Sequence, residues 1–202
     1  TTFIFNEAGL NPSYFIGGHL LDQPHAKVDS DELFITELDE SDGSFLDFKM
    51  ADTIITNIEL DHVDYYKTKS QLIKKFEQYI KDTIKSDYKC IINLDDPISE
   101  KIFKKQPKSS NFLTYGIEFE KANIRAKNIE YNWHGISYDL IINDQFVERV
   151  SINLFGKHNV YNSLAAIAIA IAKEIPLKNI INGLNSFKGV RRRLELKYKL
   201  NN

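Results

Sequence analysis

The chain has 202 residues, enough for one large α/β domain or two small ones, and its 43% hydrophobic and 27% charged residues are those of a globular protein. A formal net charge of -2 leaves no electrostatic footprint for nucleic acid, and the longest apolar run, 164–172, is too short to span a bilayer. Cys90 is the single cysteine, so no intrachain disulfide is available; it sits in an apolar run and is expected as a reduced core residue, which fits a cytoplasmic location.

Residues 1–8 read as the last turns of a helix stopped by Gly9 in the C′ position, followed by a turn at Asn11-Pro12. The chain lacks an initial Met and opens inside a helix, so the expectation is a piece of a longer protein. A short strand at 14–16 ends in Gly17-Gly18, a pair that either makes a plain turn or lets backbone approach a ligand closely. Residues 22–31 are polar and read as loop.

Two apolar, β-rich runs follow, 33–38 and 53–58. Each ends in polar and acidic residues: Glu37, Asp39, Glu40, Ser41 and Asp42 after the first, Asn57, Glu59, Asp61, His62 and Asp64 after the second. If the two strands are parallel neighbours, both groups emerge at the carboxyl edge of one sheet, where open α/β folds bind ligands. Carboxylates gathered there repel one another unless a cation sits among them, and Mg²⁺ takes oxygen ligands that it shares with phosphates. The same residues also serve as ordinary loop and helix-capping residues, and that alternative stays open.

Leu72, Ile73, Phe76, Tyr79 and Ile80 recur at helical spacing and predict an amphipathic helix over 69–82. A buried strand at 88–94 ends in Asn93, Asp95 and Asp96, acidic residues placed to cap a helix over 97–105 that starts with Pro97. A short strand at 112–115 completes a strand–helix alternation that implies a parallel sheet. The pattern then changes. Runs at 124–131, 136–142 and 146–154, joined at His134-Gly135 and Asn143-Asp144, predict an antiparallel meander appended as a small separate sheet, with Tyr131, Trp133 and Tyr138 as its packing residues.

The stretch GKHNVYN, 156–162, opens a helix over 160–174 that is apolar on nearly all sides and therefore buried. Asn159 and Asn162 are one helical turn apart and face one point, where an amide pairs with the N6/N7 edge of adenine or Asn159 simply caps the helix. A second helix over 176–187 precedes Gly189-Val190 and the run Arg191, Arg192, Arg193, whose guanidinium forks suit phosphates but are as readily a solvated surface. No phosphate-cradling GxxxxGK[ST] loop occurs in the chain.

Taken together, ELDESDGSFL (37–46), TNIELDHVD (56–64), NLDD (93–96), GKHNVYN (156–162) and FKGVRRR (187–193) resemble the Mur ligases of peptidoglycan synthesis, in order and over essentially the whole chain. The resemblance implies an α/β domain with a mostly parallel sheet flanked by helices: the central, ATP-binding domain of a three-domain enzyme, truncated before Thr1 and after Asn202. The phosphate loop and the amino- and carboxy-terminal domains of such an enzyme would lie outside these residues. It further implies ATP and Mg²⁺ as cofactors, and L-alanine and UDP-N-acetylmuramate as the substrates joined through an acyl-phosphate. Carried over by position, Glu37 is the Mg²⁺ ligand near the γ-phosphate and His62 the ligand of a second cation. His158, Asn159 and Asn162 hold adenine, Arg193 is the family's arginine with Arg192 beside it, and Gly17-Gly18 lie near the UDP-sugar. Two other functions compete: a non-catalytic nucleotide-binding or interaction module, and a metal hydrolase built on Glu37, Asp61 and His62, which offers few ligands for a dedicated zinc site.

Overall fold

A computed structural model describes residues 1–41, 43–48, 51–60, 65–191 and 193. Among these residues nine strands form two sheets. The larger has β4 (Thr53–Ile55), β5 (Cys90–Asn93), β6 (Phe112–Gly116), β7 (Ile124–Asn132), β8 (Gly135–Ile142) and β9 (Gln145–Ile152) in that spatial order. The first four run parallel and the last three antiparallel. The meander is therefore not a separate sheet. Tyr115 pairs with Ile124 and Gly116 with Arg125, so β7 continues the parallel ladder on one side and opens the hairpins on the other. The hairpin at Asn143 and Asp144 has φ of 48° and 67°, the left-handed pair that a two-residue turn requires.

The smaller sheet orders β2 (Ala26–Lys27), β1 (Ser13–Phe15) and β3 (Phe34–Thr36), with β1 and β3 parallel. This corrects two expectations. Residues 22–31 contribute a two-residue strand, and β3 is not the hydrogen-bonded neighbour of β4. Each of those two strands ends its own sheet, because the apolar pattern that makes both of them strands carries no information about pairing order.

Side-chain alternation along β5 explains the three layers. Ile91 enters the core under α1 (Thr2–Glu7), α4 (Lys157–Ala172) and α5 (Leu177–Ser186), whereas Cys90 and Ile92 enter the core under α2 (Lys69–Lys85) and α3 (Pro97–Lys105). All four β5 residues are buried, as a central parallel strand demands. Leu33, Ile35 and Ile54 pack on the same α1/α4/α5 core, so β3 and β4 share one helical floor although they do not pair.

The helices end where local chemistry says they should. Gly9, at φ 77°, follows the Ala8 C-cap of α1. Thr68 caps α2 by accepting from the Gln71 N–H at 3.3 Å. Asp96 alone caps α3, accepting from the Ser99 N–H at 2.7 Å; Asp95 turns elsewhere. The helix over GKHNVYN starts at Lys157, and nine of its residues are buried. Within it Ser163 donates to the Val160 carbonyl, so the Tyr138 hydroxyl donates to Ser163 Oγ at 2.7 Å, tying β8 to α4. Tyr138 is thus a packing residue as expected, but Tyr131 and Trp133 are not; they are 59% and 62% exposed on the far end of the hairpin. Among the described residues no helix is long and apolar enough to cross a membrane.

Cys90 is fully buried, and burial pushes its thiol from 9.0 to about 12. The native protein should resist alkylation for hours at about pH 8 and react within minutes once unfolded, because only thiolate attacks. The sign for stability follows from the raised native value. The contribution is intact below the unfolded thiol's titration and is lost as pH climbs from about 9 toward 12. Rapid native labelling would show that the β5 layer opens.

Candidate functional site

A cavity of about 490 Å³ opens where the two sheets fail to meet. One wall is the end of β3, with Thr36, Glu37 and Leu38; the other is β4, with Ile54 and Thr56. The first turn of α1 and the helices α4 and α5 form its floor, through Ile4, Asn159, Asn162, Ala166, Gly183 and Leu184. Gly189, Val190 and Arg193 close the rim. Phe3 and Phe187 also line the cavity, their rings edge to face at 5.2 Å.

Of the described residues carried over as site residues, Glu37, His158, Asn159, Asn162 and Arg193 line this cavity; Gly17 and Gly18 do not line it but lie against Glu37 and Val190, which do, whereas Asp39, Glu40 and Glu59 are not brought to it. Glu37 is exposed and lines it, with Oε2 accepting from the Gly17 N–H at 3.1 Å. The Gly17-Gly18 pair is accordingly wedged between functional segments. A Cβ on Gly17 would stand 3.1 Å from Glu37 Oε2, and one on Gly18 would stand 2.6 Å from Val190 Cγ1. The following residues lock to the rim: Leu20 bridges Val190, and the His19 carbonyl accepts from the Arg191 N–H at 2.8 Å. His158, Asn159 and Asn162 lie together on the cavity face of α4, and Arg193 stands at the mouth. His62 and Arg192 lie outside the described residues, as does Asp61.

Asn159 does not cap α4; its side chain bonds the segment entering the helix instead. Gly156, at φ 90°, occupies the N-cap without a side-chain bond. The Asn159 side chain instead donates to the Phe155 carbonyl at 2.8 Å, and Asn162 Nδ2 approaches Asn159 Oδ1 at 3.4 Å. That orients the Asn159 amide and leaves the Asn162 carbonyl oxygen available to a donor in the cavity.

Among the described residues no three His, Cys, Asp or Glu side chains come together as a metal cage. A lone carboxylate on a strand end still fits Mg²⁺, which ordinarily takes one or two protein carboxylates and completes its shell with phosphate oxygens and water. Among the described residues Glu37 Oε2 meets the Gly17 N–H, and Oε1 is the oxygen it can give.

Three contacts around the site were not legible in the sequence. The α1 first turn belongs to the cavity because Gly183 lets α5 approach it: a Cβ there would stand 2.4 Å from Ile4 Cα. Asn93 fixes the β4 end by donating to the Thr56 carbonyl at 2.9 Å. Lys157 pairs with Glu118 at 2.7 Å, a hydrogen bond that raises the lysine's pKa. Asn93 and Lys157 lie in the NLDD and GKHNVYN motifs, but neither motif names the partner each residue finds.

The chain is similar to known proteins. The Mur ligase middle domain family model matches residues 23–170. The UDP-N-acetylmuramate–L-alanine ligase of Aquifex aeolicus (strain VF5) is 35% identical over 195 residues, covering 96% of this chain and 42% of that protein. That of Clostridium botulinum (strain Hall) is 37% identical over 198 residues, covering 97% of this chain and 42% of the relative. The chain thus spans about two-fifths of the length of these curated relatives. Among solved structures, the UDP-N-acetylmuramate-alanine ligase of Thermotoga maritima superposes with a TM-score of 0.81 at 21% identity, over 97% of this chain and 43% of that one. The UDP-N-acetylmuramate:L-alanyl-gamma-D-glutamyl-meso-diaminopimelate ligase of Neisseria meningitides gives 0.76 at 23% identity, over 95% and 62%. At such identities these superpositions speak for the fold.

Proposed function

The chain belongs to the Mur ligase family, and from that premise we propose that it is the central, ATP-binding domain of a ligase joining L-alanine to UDP-N-acetylmuramate. One observation carries the reading: a single cavity collects Glu37, His158, Asn159, Asn162 and Arg193, which are far apart in sequence and have complementary chemistry for a nucleotide and a cation. The names of relatives 35–37% identical over nearly the whole chain support the choice of L-alanine and UDP-N-acetylmuramate. The buried thiol of Cys90 fits a reducing compartment, so we place the enzyme in the cytoplasm.

In the proposed reaction the substrate carboxylate attacks the γ-phosphorus of ATP, ADP leaves, and an acyl-phosphate forms. The L-alanine amine then attacks the acyl carbon, loses a proton, and inorganic phosphate leaves. No side-chain nucleophile is needed, so the protein's contribution is positioning and charge neutralisation. Glu37 would hold Mg²⁺ and His62 a second cation, and these would supply part of that neutralisation. His158, Asn159 and Asn162 hold the adenine, Arg193 and its chain neighbour Arg192 serve the phosphoryl oxygens, and Gly17-Gly18 lie near the UDP-sugar. The Glu37–Gly17 hydrogen bond joins the glycine pair to the proposed cation ligand.

The phosphate loop, absent from these 202 residues, belongs in this proposal to a segment preceding α1. A strand ahead of that loop would find edges to pair with: β3 and β4 each have one strand neighbour among the described residues, and both line the cavity that α1 enters. For the chain taken alone, a non-catalytic nucleotide-binding module is the second reading, and the lack of a GxxxxGK[ST] loop favours it. Calorimetry with MgATP tests both. The chain alone should bind weaker than micromolar, because phosphates without their cradle contribute little, and the parent-length protein should bind roughly tenfold tighter or better. Micromolar binding by this chain alone would contradict the placement of the phosphate loop upstream.

A further inference from the structure

We propose that Asp95 is a positioning residue: its carboxylate clamps the first turn of α4 to the loop after β6, and so sets the base-binding end of the cavity. The inference rests on the reading of His158, Asn159 and Asn162 as the adenine end.

The first turn of α4 has weak means of its own. Its N-cap is a glycine with no side-chain bond, and no acidic residue stands in the turn to meet the helix dipole. Two tertiary anchors hold it instead. The Tyr161 hydroxyl donates to Asp95 Oδ2 at 2.8 Å, and Lys157 pairs with Glu118 at 2.7 Å. Both lead to one carboxylate, because the backbone around Glu118 is itself wrapped on Asp95. The N–H groups of Ile117 and Glu118 donate to Oδ2 at 2.6 and 2.9 Å, and that of Phe119 donates to Oδ1 at 2.7 Å. Four donors on one charged acceptor make a rigid knot, since bonds to an ionised oxygen are the strong ones. Gly116 makes room for it: a Cβ there would stand 2.8 Å from Asp95 Oδ1.

The knot also reaches the opposite wall of the cavity. The Asp95 N–H donates to Asn93 Oδ1 at 3.0 Å, and Asn93 donates to the carbonyl of Thr56, which lines that wall. Hydrogen bonds thus run from the β4 end, through Asn93 and Asp95, to Tyr161 on α4, whose chain neighbours Asn159 and Asn162 face the cavity. Burial and the adjacent carboxylate raise the Tyr161 pKa, so the hydroxyl keeps its proton as a donor at neutral pH. A plain loop staple would need only the three backbone donors. The fourth, from α4, distinguishes a device that orients the site.

The test uses this chain as wild type, Tyr161→Phe and Asp95→Asn, with backbone amide hydrogen exchange and titration with adenosine, which needs no phosphate loop. Uridine is the control. Tyr161→Phe removes one hydroxyl and keeps the ring, so it folds even if Asp95→Asn does not. Exchange across 157–163 should accelerate roughly fivefold or more in Tyr161→Phe while 164–172 stays protected, and adenosine affinity should fall by a similar factor. Unchanged exchange across 157–163 overturns the proposal. So does faster exchange with adenosine affinity left at the wild-type value, which would make Asp95 a staple and nothing more. A wild-type chain that gives no adenosine signal, or the same signal with uridine, sinks the adenine reading itself. The exchange measurement then still decides whether Asp95 holds α4.

Discussion

Replacing Glu37 by Ala in the parent-length protein should lower the ligation rate by roughly 10²-fold or more, the usual cost of removing a group that neutralises transition-state charge. Its melting temperature should stay within about 2 °C of wild type, because an exposed carboxylate with one backbone hydrogen bond contributes little to stability. The two readouts separate the role in the reaction from a role in folding. Glu37→Gln sharpens the comparison. It keeps an acceptor for the Gly17 N–H and loses the charge, so it should be nearly as impaired as Glu37→Ala if the carboxylate holds a cation. Near wild-type ligation by Glu37→Gln would assign the side chain to the Gly17 loop alone.

Gly183→Ala should destabilise the protein by about 2 kcal/mol, lowering the melting temperature by roughly 4–8 °C in a domain of this size. The direction is opposite to local expectation, since Ala inside a helix is favoured over Gly by about 1 kcal/mol. Packing decides the sign. The added methyl would stand 2.4 Å from Ile4 Cα and 2.6 Å from Ile4 N, which are backbone atoms with no rotamer to yield. Helix α1 would have to retreat from α5, breaking the Asn179 bond to the Glu7 carbonyl and moving Phe3 and Ile4 out of the cavity floor. Nucleotide affinity should fall with stability. A variant more stable than wild type would mean that α1 and α5 are not in such close contact.

Where the chemistry was local, the sequence was legible. Helix α3 runs over 97–105 as expected because Asp96 and Pro97 fix its start, and the hairpin at Asn143-Asp144 follows from two residues that tolerate positive φ. Polar residues clustered at the ends of apolar elements marked the groups that hold Glu37, His158, Asn159 and Arg193, the resemblance picked Glu37 and Arg193 out of theirs, and the cavity receives all four. Pairing order was not legible. The strand at Phe34–Thr36 pairs with Ser13–Phe15, and its apolar pattern would have served equally beside Thr53–Ile55. The meander showed its hairpins but not its parallel join through Tyr115 and Ile124, since nothing in a strand's own residues names its non-sequential neighbour. In the sequence Asp95 reads as a cap beside Asp96, because both follow a strand. Only the folded chain brings residues 117–119 and Tyr161 onto its carboxylate.

The measurement closest to the proposed function is phosphate release from ATP by the parent-length protein, followed together with the mass of the product. Release should require both UDP-N-acetylmuramate and L-alanine, and should match amide formation one to one. ATP hydrolysis that proceeds equally well without either substrate, or phosphate release without an amide product, would contradict it.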